Sequence, residues 1–86
     1  MFRWRKGDGM EGKEFEWTER RVKLLELLAG SETFGIFTDR RNGMVWKDIA
    51  AKYDRSATYC RDRFRACVRI IVQAEGIEWA LKKLDD

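Results

Sequence analysis

The chain has 86 residues, with no proline, no histidine, two cysteines, four tryptophans, two tyrosines, five phenylalanines and a net charge of +3. That length sets a single small domain, which buries only about 60–65% of its unfolded surface and therefore needs a dense core. No apolar run approaches the ~20 residues of a membrane span, and without histidine or a Cys-x-x-Cys pair a structural zinc site is excluded.

Residues 1–13 read as a flexible arm, with three glycines and mixed charge. The opening Phe2-Arg-Trp-Arg-Lys6 mixes aromatics with Arg3, Arg5 and Lys6, a combination suited to gripping phosphates or a minor groove. The same stretch is too charged for the apolar segment of a secretory signal, so an intracellular, reducing setting is expected.

Helix one is predicted over about 18–29. Thr18 offers an N-cap, Glu19 suits the positive end of the helix dipole and Gly30 is a stop. Val22, Leu24, Leu25, Leu27 and Leu28 make a wide apolar stripe, of which Leu25 and Leu28 are expected to face the core with Trp17. Residues 30–45 then read as a long connection with a turn signal at Asn42-Gly43. Phe34, Ile36 and Phe37 are too apolar for solvent, so part of the connection is expected to fold back on the core. Arg40 and Arg41 at its tip are placed to meet a phosphate.

Helix two is predicted over about 45–53, because Trp46, Ile49, Ala50 and Tyr53 recur on one helical side. Ser56 offers the next N-cap, and helix three follows over about 57–73, with Cys60, Phe64, Cys67, Val68 and Ile71 at core spacing. Cys60 and Cys67 lie about 10 Å apart along one helix, too far for a disulfide, and read as buried, reduced core residues. After Gly76, the positions Ile77, Ala80, Leu81 and Leu84 predict a fourth helix over about 77–84, packed on helix three or helix one, with binding of a protein partner through that stripe as the alternative.

Charge is segregated along the chain. Residues 52–69 carry +4 and residues 1–9 carry +2, whereas residues 10–34 and 74–86 carry −2 each. A short helix, a tight turn and a longer arginine-studded helix is the arrangement that lays a reading helix in a DNA groove, and the charge falls where such a protein needs it.

The chain resembles a Myb/SANT repeat, a homeodomain-like helix-turn-helix of three helices with one core tryptophan or other aromatic from each. The matching positions here are Trp17, Trp46 and Phe64. Trp46-Lys-Asp-Ile-Ala-Ala-Lys-Tyr53 is similar to the family's second helix, Trp-x-x-Ile-Ala-x-x-Leu, and Cys60-Arg-Asp-Arg-Phe64 to its third-helix Gln-Cys-Arg-Glu-Arg-Trp pattern. The likeness covers about residues 15–70. A longer connection between the first two helices and a fourth helix bring it closer to the plant trihelix factors and to the Myb modules of telomere-associated proteins. The resemblance implies an all-α fold, a three-helix bundle with a fourth C-terminal helix, and a nuclear DNA-binding role in transcription regulation or in chromosome and telomere maintenance.

Within that frame Thr58, Arg61, Asp62 and Arg65 fall where Myb repeats place base-contacting side chains. The chemistry agrees, since arginine donates two bonds to guanine and aspartate accepts from cytosine N4. Lys47, Arg55, Tyr59, Arg69 and Arg41 are the backbone-contact candidates, with Arg3, Arg5 and Lys6 in the arm. Asp62 also has a structural reading as an intrahelical partner of Arg65 or Arg69. No catalytic constellation, cofactor motif or metal set is visible, and the expected partner is double-stranded DNA. The competing function is a SANT-type module that binds histone tails or an assembly partner; Arg61, Arg63, Arg65 and Arg69 on helix three favour DNA over it.

Overall fold

In the computed structural model, residues 15–85 are described, and among them the chain is all-helical, with no strand. Four helices follow in order: α1 (Glu19–Ala29), α2 (Ser31–Arg41), α3 (Trp46–Tyr53) and α4 (Ala57–Asp85). None is long and apolar enough to cross a membrane. The proposed DNA-contacting arm residues Arg3, Arg5 and Lys6 lie outside the described residues.

α1 begins as its sequence predicts, with Thr18 Oγ1 accepting the Arg21 backbone N–H at 3.2 Å. It ends at Gly30, whose φ of +89° turns the chain straight into the next helix. That next helix corrects the expected long connection: residues 31–41 are helical, and only Asn42–Val45 link α2 to α3. The signal was present in the sequence. Thr33, Ile36 and Phe37 recur at helical spacing and are all buried, Glu32 sits in the first turn, and Arg40 and Arg41 sit in the last, complementing the dipole at both ends. The internal Gly35 and the flanking Gly30 masked that pattern.

A second correction concerns the C-terminus. Helix three and the expected separate fourth helix are one 29-residue helix, α4, about 43 Å long at 1.5 Å per residue. Gly76 does not break it. A glycine in a helix interior costs only about 1 kcal/mol relative to alanine, and two ion pairs to α1 bracket it. Arg21 donates to both Glu75 oxygens at 2.8 and 3.0 Å, and Arg20 Nη2 meets Glu78 Oε2 at 2.8 Å. The stripe Ile77, Leu81, Leu84 therefore stays on a protruding helix rather than folding back, and all three residues are exposed.

The core has two adjoining parts. One joins Leu25, Phe37, Cys67 and Ile71, with Trp17, Val22, Ala29, Phe34 and Phe64 packed around them. The other joins Ile36, Ile49 and Cys60, with Met44, Trp46, Ala50, Tyr53 and Tyr59 around them. Phe64 belongs to both shells and ties the two together. The three aromatics expected to meet do so through a fourth. Trp17 meets Phe37 at a tilt with centroids 4.6 Å apart, Phe37 stacks on Phe64 at 5.9 Å, and Phe64 is edge-on to Trp46 at 5.5 Å. Phe37 comes from the segment read as a loop and is the centre of that chain of rings. Leu28, expected in the core, is exposed instead: the inner side of α1 is formed by Val22, Leu25 and Ala29.

Candidate nucleic-acid interface

The junction of α3 and α4 is built by local chemistry. α3 ends at Asp54, whose φ of 55° and ψ of 46° place it in the left-handed region that aspartate tolerates better than most residues. The Arg55 and Asp54 N–H groups return to the Ala50 and Ala51 carbonyls at 3.0 and 3.3 Å, satisfying two of the open acceptors at the end of the helix. Ser56 Oγ then accepts the Tyr59 N–H at 3.0 Å and starts α4. Two helices are thereby joined by a three-residue turn.

Packing fixes the rotation of α4. Cys60, Cys67 and Ile71 are fully buried, so the opposite side must face solvent. There Thr58, Arg61, Asp62, Arg65 and Arg69 are all exposed, and the four sequence-predicted base-contact residues share one face. Asp62 and Arg65 lie 3.9 Å apart, a loose i,i+3 pair worth a few tenths of a kcal/mol. Arg63 points the other way: its Nε donates to the buried Thr33 Oγ1 at 3.0 Å and anchors α4 to α2.

Beside this face lies a cavity of about 290 Å³ lined by Arg40, Trp46, Arg61, Phe64 and Arg65. Two guanidinium groups lie within cation–π range of the Trp46 ring, Arg40 at 4.7 Å and Arg61 at 5.9 Å from its centroid. Arg40 is further held by its Nη1, which donates to the Met44 carbonyl at 3.1 Å. The sequence reading placed Arg40 at a loop tip; the helix α2 delivers it to the floor of this basic hollow. Arginines that converge on a concave spot beside an aromatic plane suit a phosphate group or the edge of a base.

The backbone-contact candidates divide. Lys47 is exposed on the first turn of α3, and Arg69 extends the α4 face. Arg41 is exposed, with its guanidinium 5.4 Å from the Phe37 ring centroid. Arg55 and Tyr59 take part in a network within the chain. Arg55 Nε donates to Glu32 Oε2 at 3.0 Å, the Tyr59 hydroxyl donates to Glu32 Oε1 at 2.7 Å, and the Arg55 guanidinium stacks 4.7 Å over the Tyr59 ring. The tyrosine hydrogen bond, then the arginine, hold the Glu32 carboxyl below its ordinary range, and the same bond raises the Tyr59 hydroxyl. A parallel network sits one helix away. Asp39 accepts from Lys52 and from the Tyr53 hydroxyl, both at 2.9 Å. Burial opposes charge on Asp39, but those two donors outweigh it and hold its carboxyl below the ordinary value. Both networks clamp α2 to the α3–α4 pair.

Among the described residues no cluster of histidine, cysteine or acidic side chains could hold a metal ion. Burial pushes the Cys67 thiol up to about 11 and raises that of Cys60, so both remain protonated. No protein-family model, curated protein or solved structure gives a significant match to this chain.

Proposed function

We propose that this protein binds double-stranded DNA by laying the first half of α4 in the major groove. The observation that carries the reading is the single exposed face of Thr58, Arg61, Asp62, Arg65 and Arg69 on a helix locked against α3 by a tight turn. The α4 face supplies base-edge chemistry: Arg61 and Arg65 suit guanine, and Asp62 suits cytosine N4 while repelling phosphate, which favours selectivity over raw affinity. Lys47, at the start of α3, and Arg40 and Arg41, at the end of α2, flank this face as phosphate contacts. Arg55 and Tyr59 act chiefly by positioning α2 against the turn. The Myb/SANT resemblance supports the same reading, and with it a nuclear role in transcription regulation or in chromosome and telomere maintenance.

The test is a titration of random-sequence duplex DNA with the wild type and with the double variant Arg61→Ala/Arg65→Ala at two salt concentrations. Four to six phosphate contacts give a log–log salt slope of roughly −4 to −5, and the double variant is expected to bind weakly with a shallower slope while keeping its helical circular dichroism. Absence of binding by the folded wild type at low salt would refute the proposal and direct attention to histone tails and other protein partners.

A further inference from the structure

The second half of α4 carries an apolar seam that the DNA reading does not use. Ile70, Ala74, Ile77, Leu81 and Leu84 are spaced 4, 3, 4 and 3 residues apart, which is the heptad spacing of a helix that packs along another helix. The seam starts half-buried at Ile70 and Ala74 and becomes open, with Ile77 61%, Leu81 57% and Leu84 80% exposed. α1 extends it sideways. Arg20 meets Glu78, so one turn along α1 brings Leu24 to the level of Ala74, and another brings Leu28 to the level of Ile70. Leu28 is 52% and Leu27 81% exposed.

We propose that this seam is a homodimer interface, in which a second copy of the chain packs its α4 antiparallel to the first. The apolar pattern supports it. The exposed side chains of Ile77, Leu81 and Leu84, together with Leu27 and Leu28 of α1, present roughly 600 Å², at the upper end of the patch a monomer ordinarily leaves bare. The orientation follows from what each half exposes. Among the described residues, Trp79, Leu81 and Leu84 beyond Glu78 are exposed, as are Ile77 before it and Leu28 on α1. An antiparallel pair with its axis near Trp79 sets Leu81 against Ile77 of the other copy and Leu84 against Ala74, a reciprocal exchange that closes on itself. It also carries Lys82 to the level of Glu75 and Glu78 of the other copy, whereas a parallel pair stacks like charge on like. The face of Thr58, Arg61, Asp62 and Arg65 stays clear, because it lies on the other half of the helix and about a third of a turn around from the seam.

Sedimentation equilibrium of the full chain, without DNA, tests this independently of the DNA reading. The wild type is expected to approach twice 10.2 kDa with rising concentration. Ile77→Lys/Leu81→Lys is expected to remain a monomer with unchanged helicity and, at concentrations where the wild type is also monomeric, an unchanged melting temperature, since neither residue is in the core. Val72→Lys, which replaces an exposed apolar residue on the far side of α4, is expected to dimerise like the wild type. A wild type that stays monomeric throughout, a seam variant that still dimerises, or a Val72→Lys variant equally disrupted would overturn the proposal. Orientation is read by oxidative cross-linking. A mixture of Ala74→Cys and Leu84→Cys chains is expected to cross-link, while Leu84→Cys alone is not, its two copies being about 15 Å apart; efficient self-linking of Leu84→Cys would refute the antiparallel arrangement.

Discussion

Gly35 and Gly76 are both helix-interior glycines, and replacing each with alanine is expected to change stability in opposite directions. Alanine gains about 1 kcal/mol over glycine in a helix. At Gly76 a Cβ meets nothing, so the gain is kept. At Gly35 the same Cβ collides with the Tyr53 hydroxyl and closes to 3.2 Å of the ring carbon behind it. That hydroxyl is pinned on its other side by its hydrogen bond to Asp39 at 2.9 Å. A bond to a charged acceptor contributes about 1.5–3 kcal/mol, so losing most of it outweighs the gain in helix propensity. Gly35→Ala is therefore expected to destabilise the domain by about 0.5–2 kcal/mol. For a domain of this size each kcal/mol shifts the melting temperature by roughly 4–8 °C. The decisive measurement is a double-mutant cycle by thermal and urea denaturation with Tyr53→Phe, which removes the colliding oxygen. In that background Gly35→Ala is expected to become neutral or stabilising by up to about 1 kcal/mol. If it stabilises the wild type as much as the Tyr53→Phe protein, the hydroxyl moves aside freely and the α2–α3 clamp carries no energy.

Three further outcomes follow from the same packing. Phe37→Ala removes the ring that links Trp17 to Phe64 and is expected to lose about 3–5 kcal/mol, seen as a large fall in the urea midpoint or as loss of the cooperative transition. The carboxyls of Glu75, Asp39 and Glu32 are held below their ordinary range in the fold. Their contribution is complete above the unfolded carboxylate pKa and is lost as pH falls through the lower folded values. Stability should thus decline on acidification, and Glu75→Gln, which leaves Arg21 with a neutral partner, should flatten that decline. Cys60 and Cys67, fully buried and with raised thiol pKa values, should react with an aromatic disulfide reagent at mildly alkaline pH only as fast as the domain opens; rapid native-state labelling would contradict their burial.

The sequence by itself determined the caps and the faces. Thr18, Gly30 and Ser56 marked helix ends because capping is a local interaction between a side chain or a glycine and backbone within a turn. The spacing of Ile49, Cys60, Phe64, Cys67 and Ile71 set the inward side of α3 and α4, and so the outward placement of Thr58, Arg61, Asp62, Arg65 and Arg69. Tertiary structure decided the rest. Residues 31–41 have weak local preference, with a glycine at their centre, and are helical because Thr33, Ile36 and Phe37 are buried between α1, α3 and α4. That burial turned a loop tip into the helix end that brings Arg40 against Trp46. Gly76 reads as a break in isolation but lies within one helix, because Arg20 and Arg21 grip Glu78 and Glu75 on either side of it from across the bundle. Arg55 and Tyr59 read as candidate DNA-backbone contacts, and the structure adds their bonds to Glu32, twenty-three and twenty-seven positions away. Such pairings depend on where distant helices meet, which the spacing of residues along a single helix does not specify.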